Sequence, residues 1–386
     1  MKRVIIIILD SLGIGNAPDA EAFGDLGANT LKSVMSENPD IRNLRKLGLG
    51  NINEVDYIED ISDPLALYGS LEEISAGKDT TIGHWEIAGL EIHTPLPTYP
   101  NGFPKEIMDE FEEKIGRGTL CNLPYSGTEV IKEYGPEHIK TGKPIVYTSN
   151  DSVFQIAAHE DVIPLKELYA MCEIARKILR GDHALARVIA RPFIGENGNY
   201  TRTSNRRDFS LSPFEPTLLD HLKQQGFDVI SVGKIYDIFN GSGLTQEQHT
   251  DSNMDGVNWI LKKMDTNFSG LLFANLVDFD AQFGHRRDPK GYAKALEEFD
   301  QRLPEILSKL RKDDLLIMTA DHGNDPCFKG TDHTRERVPV LFYKKGINPR
   351  NIGSRRGFHT IAATIYDYLG AQGSKRGESV LKHENV

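Results

Sequence analysis

Residues 4–9, VIIIIL, form an apolar run without polar alternation that ends abruptly at Asp10. Such a run, rich in β-branched residues and too short to cross a membrane, is the mark of a strand covered on both faces in a parallel sheet. Comparable runs recur late in the chain: FDVISVG at 227–233, LLFANLVDFD at 271–280, DLLIMTADHG at 314–323 and VPVLFYKKG at 338–346. Between them lie helical patterns, among them Tyr292 to Leu310, where Leu296, Phe299, Leu303, Ile306 and Leu310 recur at three- or four-residue steps. Repeated strand–helix alternation predicts an α/β fold.

The chain has 386 residues, more than twice a common domain size of about 150. A second core is therefore expected. Texture changes at the proline-rich stretches TPLPTYPNGFP and SPFEPT, and the segment they bracket has its own alternation: PIVYTS, VFQIAAH and ALARVIARPF as strands, LKELYAMCEIARKIL as a helix. The expected division is a core of residues 1–93 and 215–386 interrupted by an α/β cap at 94–214. The net charge of −11 argues against a chain held to nucleic acid mainly through phosphates. Three scattered cysteines, Cys121, Cys172 and Cys327, form neither a disulfide framework nor a zinc cluster. With no membrane span or export signal recognised, a cytoplasmic setting is expected.

In open α/β sheets, ligands gather beyond the carboxyl ends of the strands. Here those ends are acidic. Asp10 closes the first run, Asp278 and Asp280 the third, and Asp321 with His322 the fourth; His285 and His333 follow in adjoining loops. Asp10, Asp280, His285, Asp321, His322 and His333 make a mixed oxygen and nitrogen set suited to two divalent transition ions, manganese or zinc. Any one of these residues is equally well explained as a helix cap or a solvated loop residue; six together are not.

The segment GKDTTIGHWEIAG at 77–89 adds a hydroxyl. Thr80 or Thr81 there could coordinate an ion and attack phosphorus, with Gly83 allowing close approach. On local grounds alone, a threonine N-cap is the simpler account.

Together LDSLGIG, GKDTTIGHWE, DFDAQFGH and TADHGNDP, with YTSNDSVFQIAAHE inside the insertion, resemble the phosphopentomutases of the alkaline phosphatase superfamily over nearly the whole chain. The resemblance implies an alkaline-phosphatase-like core, with a mainly parallel sheet between helices, and an inserted cap. It implies isomerisation of ribose 1-phosphate and ribose 5-phosphate, or their 2-deoxy forms, through a phosphothreonine enzyme and a bisphosphate. Two Mn2+ ions, with Zn2+ an alternative, and priming by glucose 1,6-bisphosphate or a similar sugar bisphosphate are implied with it. Thr80 is then phosphoryl carrier and metal ligand. One ion takes Asp280, His285 and His333; the other takes Asp10, Asp321, His322 and Thr80. Ser149 and Asp151 fall at sugar-binding positions, Arg187 and Arg202 at positions holding the distal phosphate, Lys234 near the substrate, and Ile189 among the substrate-binding residues. Arg187, Ile189 and Arg191 alternate and so are expected on one strand face. Ile82 departs from the family's frequent threonine before Gly-His, and Asp278 is expected to orient a ligand or nearby backbone. The partners are small pentose phosphates, and a monomer is compatible with all of this. The competing functions are a phosphatase or phosphodiesterase of the same superfamily and a noncatalytic sugar-phosphate sensor.

Overall fold

The computed structural model describes residues 1–149, 152–196 and 198–382. The chain divides into two compact units, Met1–Thr94 with Pro213–Val386, and Pro95–Ser212. The strands in chain order are β1 (Arg3–Leu9) and β2 (Leu67–Glu72) in the first unit; β3 (Leu120–Pro124), β4 (Ile145–Thr148), β5 (Val153–His159), β6 (Arg187–Glu196), β7 (Asn199–Arg202) and β8 (Arg207–Ser210) in the second; and β9 (Asp228–Val232), β10 (Gly270–Leu276), β11 (Asp314–Thr319), β12 (Val338–Tyr343) and β13 (Arg350–Arg356) in the first again.

The first unit is built on one sheet in the order β13-β2-β12-β11-β1-β10-β9. Its central strand β1 is buried along its whole length, which explains the unbroken apolar run. Fully burying each such side chain contributes about 1.5–3 kcal/mol. β11, β1, β10 and β9 are parallel, and Ile8 pairs with both Thr319 and Asn275. The register therefore brings the carboxyl ends of β1, β10 and β11 to one place. At the opposite end, Arg3 and Asp314 form a fully buried ion pair at 2.5 Å that ties β1 to β11. β12 runs antiparallel to both β11 and β2. No helix intervenes between residues 320 and 337, and without a crossover element the chain can only turn back.

Helices flank this sheet. Asn253–Met264 packs on β10 and on the long helix Pro289–Lys309, whose buried Leu296, Phe299, Leu303 and Ile306 are those of the three- and four-residue spacing. Thr80–Ile87 packs against Ile235–Phe239 and Thr360–Leu369.

The second unit has a mixed sheet in the order β3-β4-β5-β6-β7, with β8 also paired to β6. Val146, Phe154, Ile156, Ala158, Val188 and Ala190 turn one face toward helices Lys105–Ile115 and Leu165–Ile178. The other face presents Ile145, Tyr147, Ala157 and Phe193 to Val130 and Ile131 of helix Glu129–Thr141. Among the described residues, no helix is long and apolar enough to cross a membrane. The α/β architecture, a mainly parallel core sheet flanked by helices and a smaller α/β unit inserted in sequence, is the fold class expected from the sequence.

Candidate metal centre and phosphate-binding face

Because three adjacent strands end in register, Asp10, Asp280, Asp321 and His322 are gathered and buried beyond them. Asp280 and the residues up to Gly284 form a π-helical turn, a widening of the helix that recurs at functional sites. It delivers His285 to the same place, and the loop before β12 delivers His333. His285 Nε2 lies 3.2 Å from Asp280 Oδ2 and 3.0 Å from His333 Nε2, which is 3.5 Å from Asp280 Oδ1. His322 Nε2 lies 3.5 Å from Asp10 Oδ1 and 3.3 Å from Asp321 Oδ2. Two clusters with metal-ligand spacing result, Asp10–Asp321–His322 and Asp280–His322–His333. His322 thus stands in both, whereas the family pattern gives it to one ion and adds His285 to the other.

The donor set fits divalent ions. Among the described residues, no hydrogen-bond partner meets the buried Asp10 Oδ1, and Asp321 Oδ2 has only imidazole nitrogens near it, His84 Nδ1 at 3.0 Å and His322 Nε2 at 3.3 Å; such crowding is an expensive state for carboxylates unless a cation meets them. The imidazoles are turned the right way. His285 Nδ1 faces the Thr331 carbonyl and His322 Nδ1 the Gly323 carbonyl, each at 3.0 Å. A carbonyl only accepts, so each neutral ring carries its proton on Nδ1 and aims the Nε2 lone pair inward.

The electrostatics show the same unmet demand. Burial, then the Asp321 and Asp280 charges, push Asp10 well above the usual carboxylate range. Burial acts on Asp280 in the same direction, but His333 and His285 outweigh it and hold that carboxyl low. For His322, burial opposes protonation, yet the Asp321, Asp10 and Asp280 carboxylates raise the imidazole to about 9.

Thr80 opens the helix Thr80–Ile87, and its Oγ1 lies 3.1 Å from His322 Nε2. The threonine N-cap favoured on local grounds is not observed: Asp79 caps the helix by accepting from Thr81 N and Ile82 N, which leaves the Thr80 hydroxyl facing the clusters. Gly83 permits the approach, since a Cβ there would lie 2.0 Å from the Asp321 carbonyl oxygen. Ile82 is buried against Gly77 at the base of the loop.

Several residues of this site escaped the sequence reading. His84, fully buried and stacked on Phe273, holds the Thr80 carbonyl through Nδ1 at 2.8 Å. Asn275 donates to Asp10 Oδ2 at 2.7 Å, and Asn324 to Asp280 Oδ1 at 2.7 Å. Ser11 adopts a left-handed φ of 68°, and its N–H donates to Asp321 Oδ1 at 3.1 Å; a non-glycine residue there stores strain of the kind concentrated at functional sites. Asp278 exchanges hydrogen bonds with Asn253 and so fastens the start of helix Asn253–Met264 to the Asp280 turn. Lys234, half-buried after β9, is near enough for its charge to favour ionised Asp10.

In the second unit, Arg187, Ile189, Arg191 and Phe193 alternate along one face of β6. Cross-strand pairing puts Asp208 opposite Ile189 and Arg202 opposite Phe193, and pairs Gln155 with both Ile189 and Tyr147, so all share that face. Arg206 binds Asp208 through two 2.8 Å hydrogen bonds, Arg187 lies 3.6 Å from the same carboxylate, and Arg191 Nε donates to Gln155. Arg202 is exposed. Among the described residues Tyr147 Oη is buried with no partner, and burial raises the pKa of its hydroxyl against the opposing pull of the Arg191, Arg202 and Arg206 charges. Tyr147 and Arg206 were not singled out from the sequence. Ser149 ends the loop side of β4, and Asp151 lies outside the described residues.

Residues 2–373 match the family model of the metalloenzyme superfamily. Proteins named phosphopentomutase in Alkaliphilus oremlandii and Clostridioides difficile are each 57% identical to the chain, over 98% of it and 98% of theirs. Among solved structures, a Leishmania mexicana phosphoglycerate mutase shares the fold at TM-score 0.50 and 12% identity, covering 98% of this chain and 97% of that one. A Pyrococcus horikoshii protein does so at TM-score 0.50 and 16% identity, covering 97% and 98%. The chain belongs to the phosphopentomutase family of the metalloenzyme superfamily, a family of isomerising enzymes.

Proposed function

We propose that the enzyme interconverts ribose 1-phosphate and ribose 5-phosphate, and their 2-deoxy forms, through phosphorylated Thr80. The observation that carries this reading is the Thr80 hydroxyl, buried 3.1 Å from His322 Nε2 at the meeting of two ligand clusters. Asp280, His285 and His333 would hold one divalent ion, and Asp10, Asp321, His322 and Thr80 the other, with Mn2+ the expected metal. Such ions neutralise the carboxylates and stabilise charge on a transferring phosphoryl group.

Phosphorylated Thr80 passes its phosphoryl group to the free hydroxyl of a bound pentose monophosphate: the Thr80 Oγ1–P bond breaks as the new O–P bond forms, and the proton given up by the sugar hydroxyl ends on Thr80 Oγ1. The product is a pentose bisphosphate. Thr80 Oγ1 then attacks the phosphate the substrate brought: a new Oγ1–P bond forms as that phosphate's bond to the pentose breaks, the Thr80 proton passes to the pentose oxygen released, and the isomer departs. His84 keeps the Thr80 backbone fixed through both transfers, because misplacement of a nucleophile is costly. Arg187 and Arg202 hold the phosphate that is not reacting, Ser149 and Asp151 hold the sugar, and Ile189 belongs to the same substrate-binding set. Lys234 lies near the substrate. A bisphosphate such as glucose 1,6-bisphosphate primes Thr80.

A coupled assay with ribose 1-phosphate and Mn2+ tests the reading. The expected product is ribose 5-phosphate, with little free phosphate. Inorganic phosphate as the main product would make the chain a phosphatase instead, and no turnover with Mn2+ would leave a sensor.

A further inference from the structure

Glu336 lies three residues beyond His333 and is buried at 1% exposure. Its carboxyl group accepts four hydrogen bonds: Oε2 from the backbone N–H of Gly15 at 3.0 Å and of Thr30 at 2.9 Å, Oε1 from the hydroxyls of Thr30 at 2.7 Å and Thr334 at 2.6 Å. Both hydroxyls pass the connection on. Thr30 Oγ1 accepts from Asn324 N at 3.0 Å, and Thr334 Oγ1 from Asp325 N at 3.2 Å. The Asn324 side chain donates in turn to Asp280 Oδ1 at 2.7 Å. One carboxylate thus links the turn after Asp10, the segment after His322 and the loop bearing His333.

The backbone is cut to fit it. A Cβ on Gly13 would lie 2.3 Å from Glu336 Oε2, and one on Gly323 2.4 Å from Oε1. Gly13 follows Asp10 by three residues and Gly323 follows His322 directly, so the two ligand-bearing turns lack side chains where the carboxylate passes. None of the four bonds goes to a proposed ligand itself; the effect runs through threonine hydroxyls and an asparagine amide.

We propose that Glu336 is a positioning residue of the metal centre, holding three separate loops in the register that makes Asp10, Asp280, His322 and His333 converge. This rests on the metal-centre reading above. Outer partners of ligands change metal affinity by about 10- to 100-fold when removed, and a single carboxylate governing three loops belongs in that range.

The test is an electron paramagnetic resonance titration of free Mn2+ with the full chain after EDTA treatment. Glu336→Gln keeps the size but replaces an acceptor oxygen with an amide donor that faces a donor. It is expected to weaken Mn2+ binding at least about tenfold while the circular dichroism spectrum is unchanged. Asp300→Asn is the comparison, because Asp300 is a buried carboxylate accepting from Asn43 N and Leu44 N, away from all three loops; it is expected to lower stability and leave Mn2+ affinity unaltered. Should Glu336→Gln fail to fold, Thr30→Val, which deletes only the hydroxyl between Glu336 and Asn324, is expected to weaken binding several-fold. Wild-type Mn2+ affinity in the folded variant overturns the positioning role and leaves the metal centre intact. A wild-type chain that binds no Mn2+ overturns the metal-centre reading, and the role of Glu336 with it.

Discussion

Beyond β1, β10 and β11 three carboxylates are crowded into a buried space, with imidazole nitrogens as the near neighbours of Asp10 Oδ1 and Asp321 Oδ2 among the described residues. On the β6–β8 face of the inserted unit the imbalance is reversed: Arg187, Arg191, Arg202 and Arg206 surround the Asp208 carboxylate and a tyrosine hydroxyl without an acceptor. Each region has been built around an unmet charge of the opposite sign, cations for the first and an anion for the second. On the proposed reading, a chain with net charge −11 gains a site for a sugar phosphate by local inversion rather than by its overall field. On that reading the difference also divides labour, the first region carrying the nucleophile and the second groups that only hold.

That division is broken most directly at Thr80. Thr80→Ala is expected to lower kcat at least about a thousandfold, with Mn2+ binding nearly unchanged because the carboxylates and imidazoles remain. Near-normal turnover in the steady-state assay would remove the nucleophile from the acidic region and end the comparison as drawn.

A second effect concerns charge in the metal-free protein. His322, raised to about 9 against a usual 6.5, is stabilised in its protonated form by Asp321, Asp10 and Asp280. A raised folded value means that the contribution is fully present below pH 6.5 and is lost as the pH climbs through about 9. EDTA-treated protein is therefore expected to lose stability across that window, on the order of 3 kcal/mol from this group. Mn2+ needs the neutral imidazole, so its stabilising effect grows over the same interval. Denaturant titrations at several pH values, with and without Mn2+, check both slopes; a metal-free stability that stays flat in His322→Asn and in wild type alike would show that the proton does not stand in for the metal.

How much of each region could be read from the chain follows from the same contrast. Strand-end acids are visible because unbroken apolar runs such as VIIIIL stop at them, and parallel strands in register must gather them. Their partners are not: Asn275 and Asn324 look like ordinary polar residues, and Glu336 acts on loops more than 300 residues away in sequence, through Gly15 and Thr30. The cap of Thr80–Ile87 went to Asp79 because its carboxylate reaches two N–H groups at once, a choice that composition alone left to either threonine. On the inserted sheet, alternation along RVIAR exposed the face, but Tyr147 joins it only through the β4-β5-β6 order, and that order depends on pairing.

On the basic face, Arg202→Ala is expected to raise the KM for ribose 5-phosphate about tenfold with little change in kcat, as befits loss of a charge-assisted hydrogen bond of about 1.5–3 kcal/mol at an exposed position. Mn2+ binding is expected to be unaffected. A fall in kcat at constant KM would instead give the basic face a share of the chemistry and blur the division.

The smallest expected effect sharpens the idea of an unmet anion. Tyr147 Oη is buried without a partner among the described residues, so the hydroxyl is a cost in the ligand-free protein and an asset only when an acceptor arrives. Tyr147→Phe keeps the ring packed against Ile145, Ala157 and Phe193 and removes the orphaned group, which is expected to raise stability in phosphate-free buffer by about 1 kcal/mol. The same change is expected to reduce the extra stability conferred by ribose 5-phosphate if ligand binding opens the buried hydroxyl to a phosphate oxygen. Denaturant titrations with and without the ligand give both numbers. A variant less stable than wild type without ligand would mean that the hydroxyl is already satisfied there, and the symmetry between orphaned carboxylates in one sheet and an orphaned donor in the other would be lost.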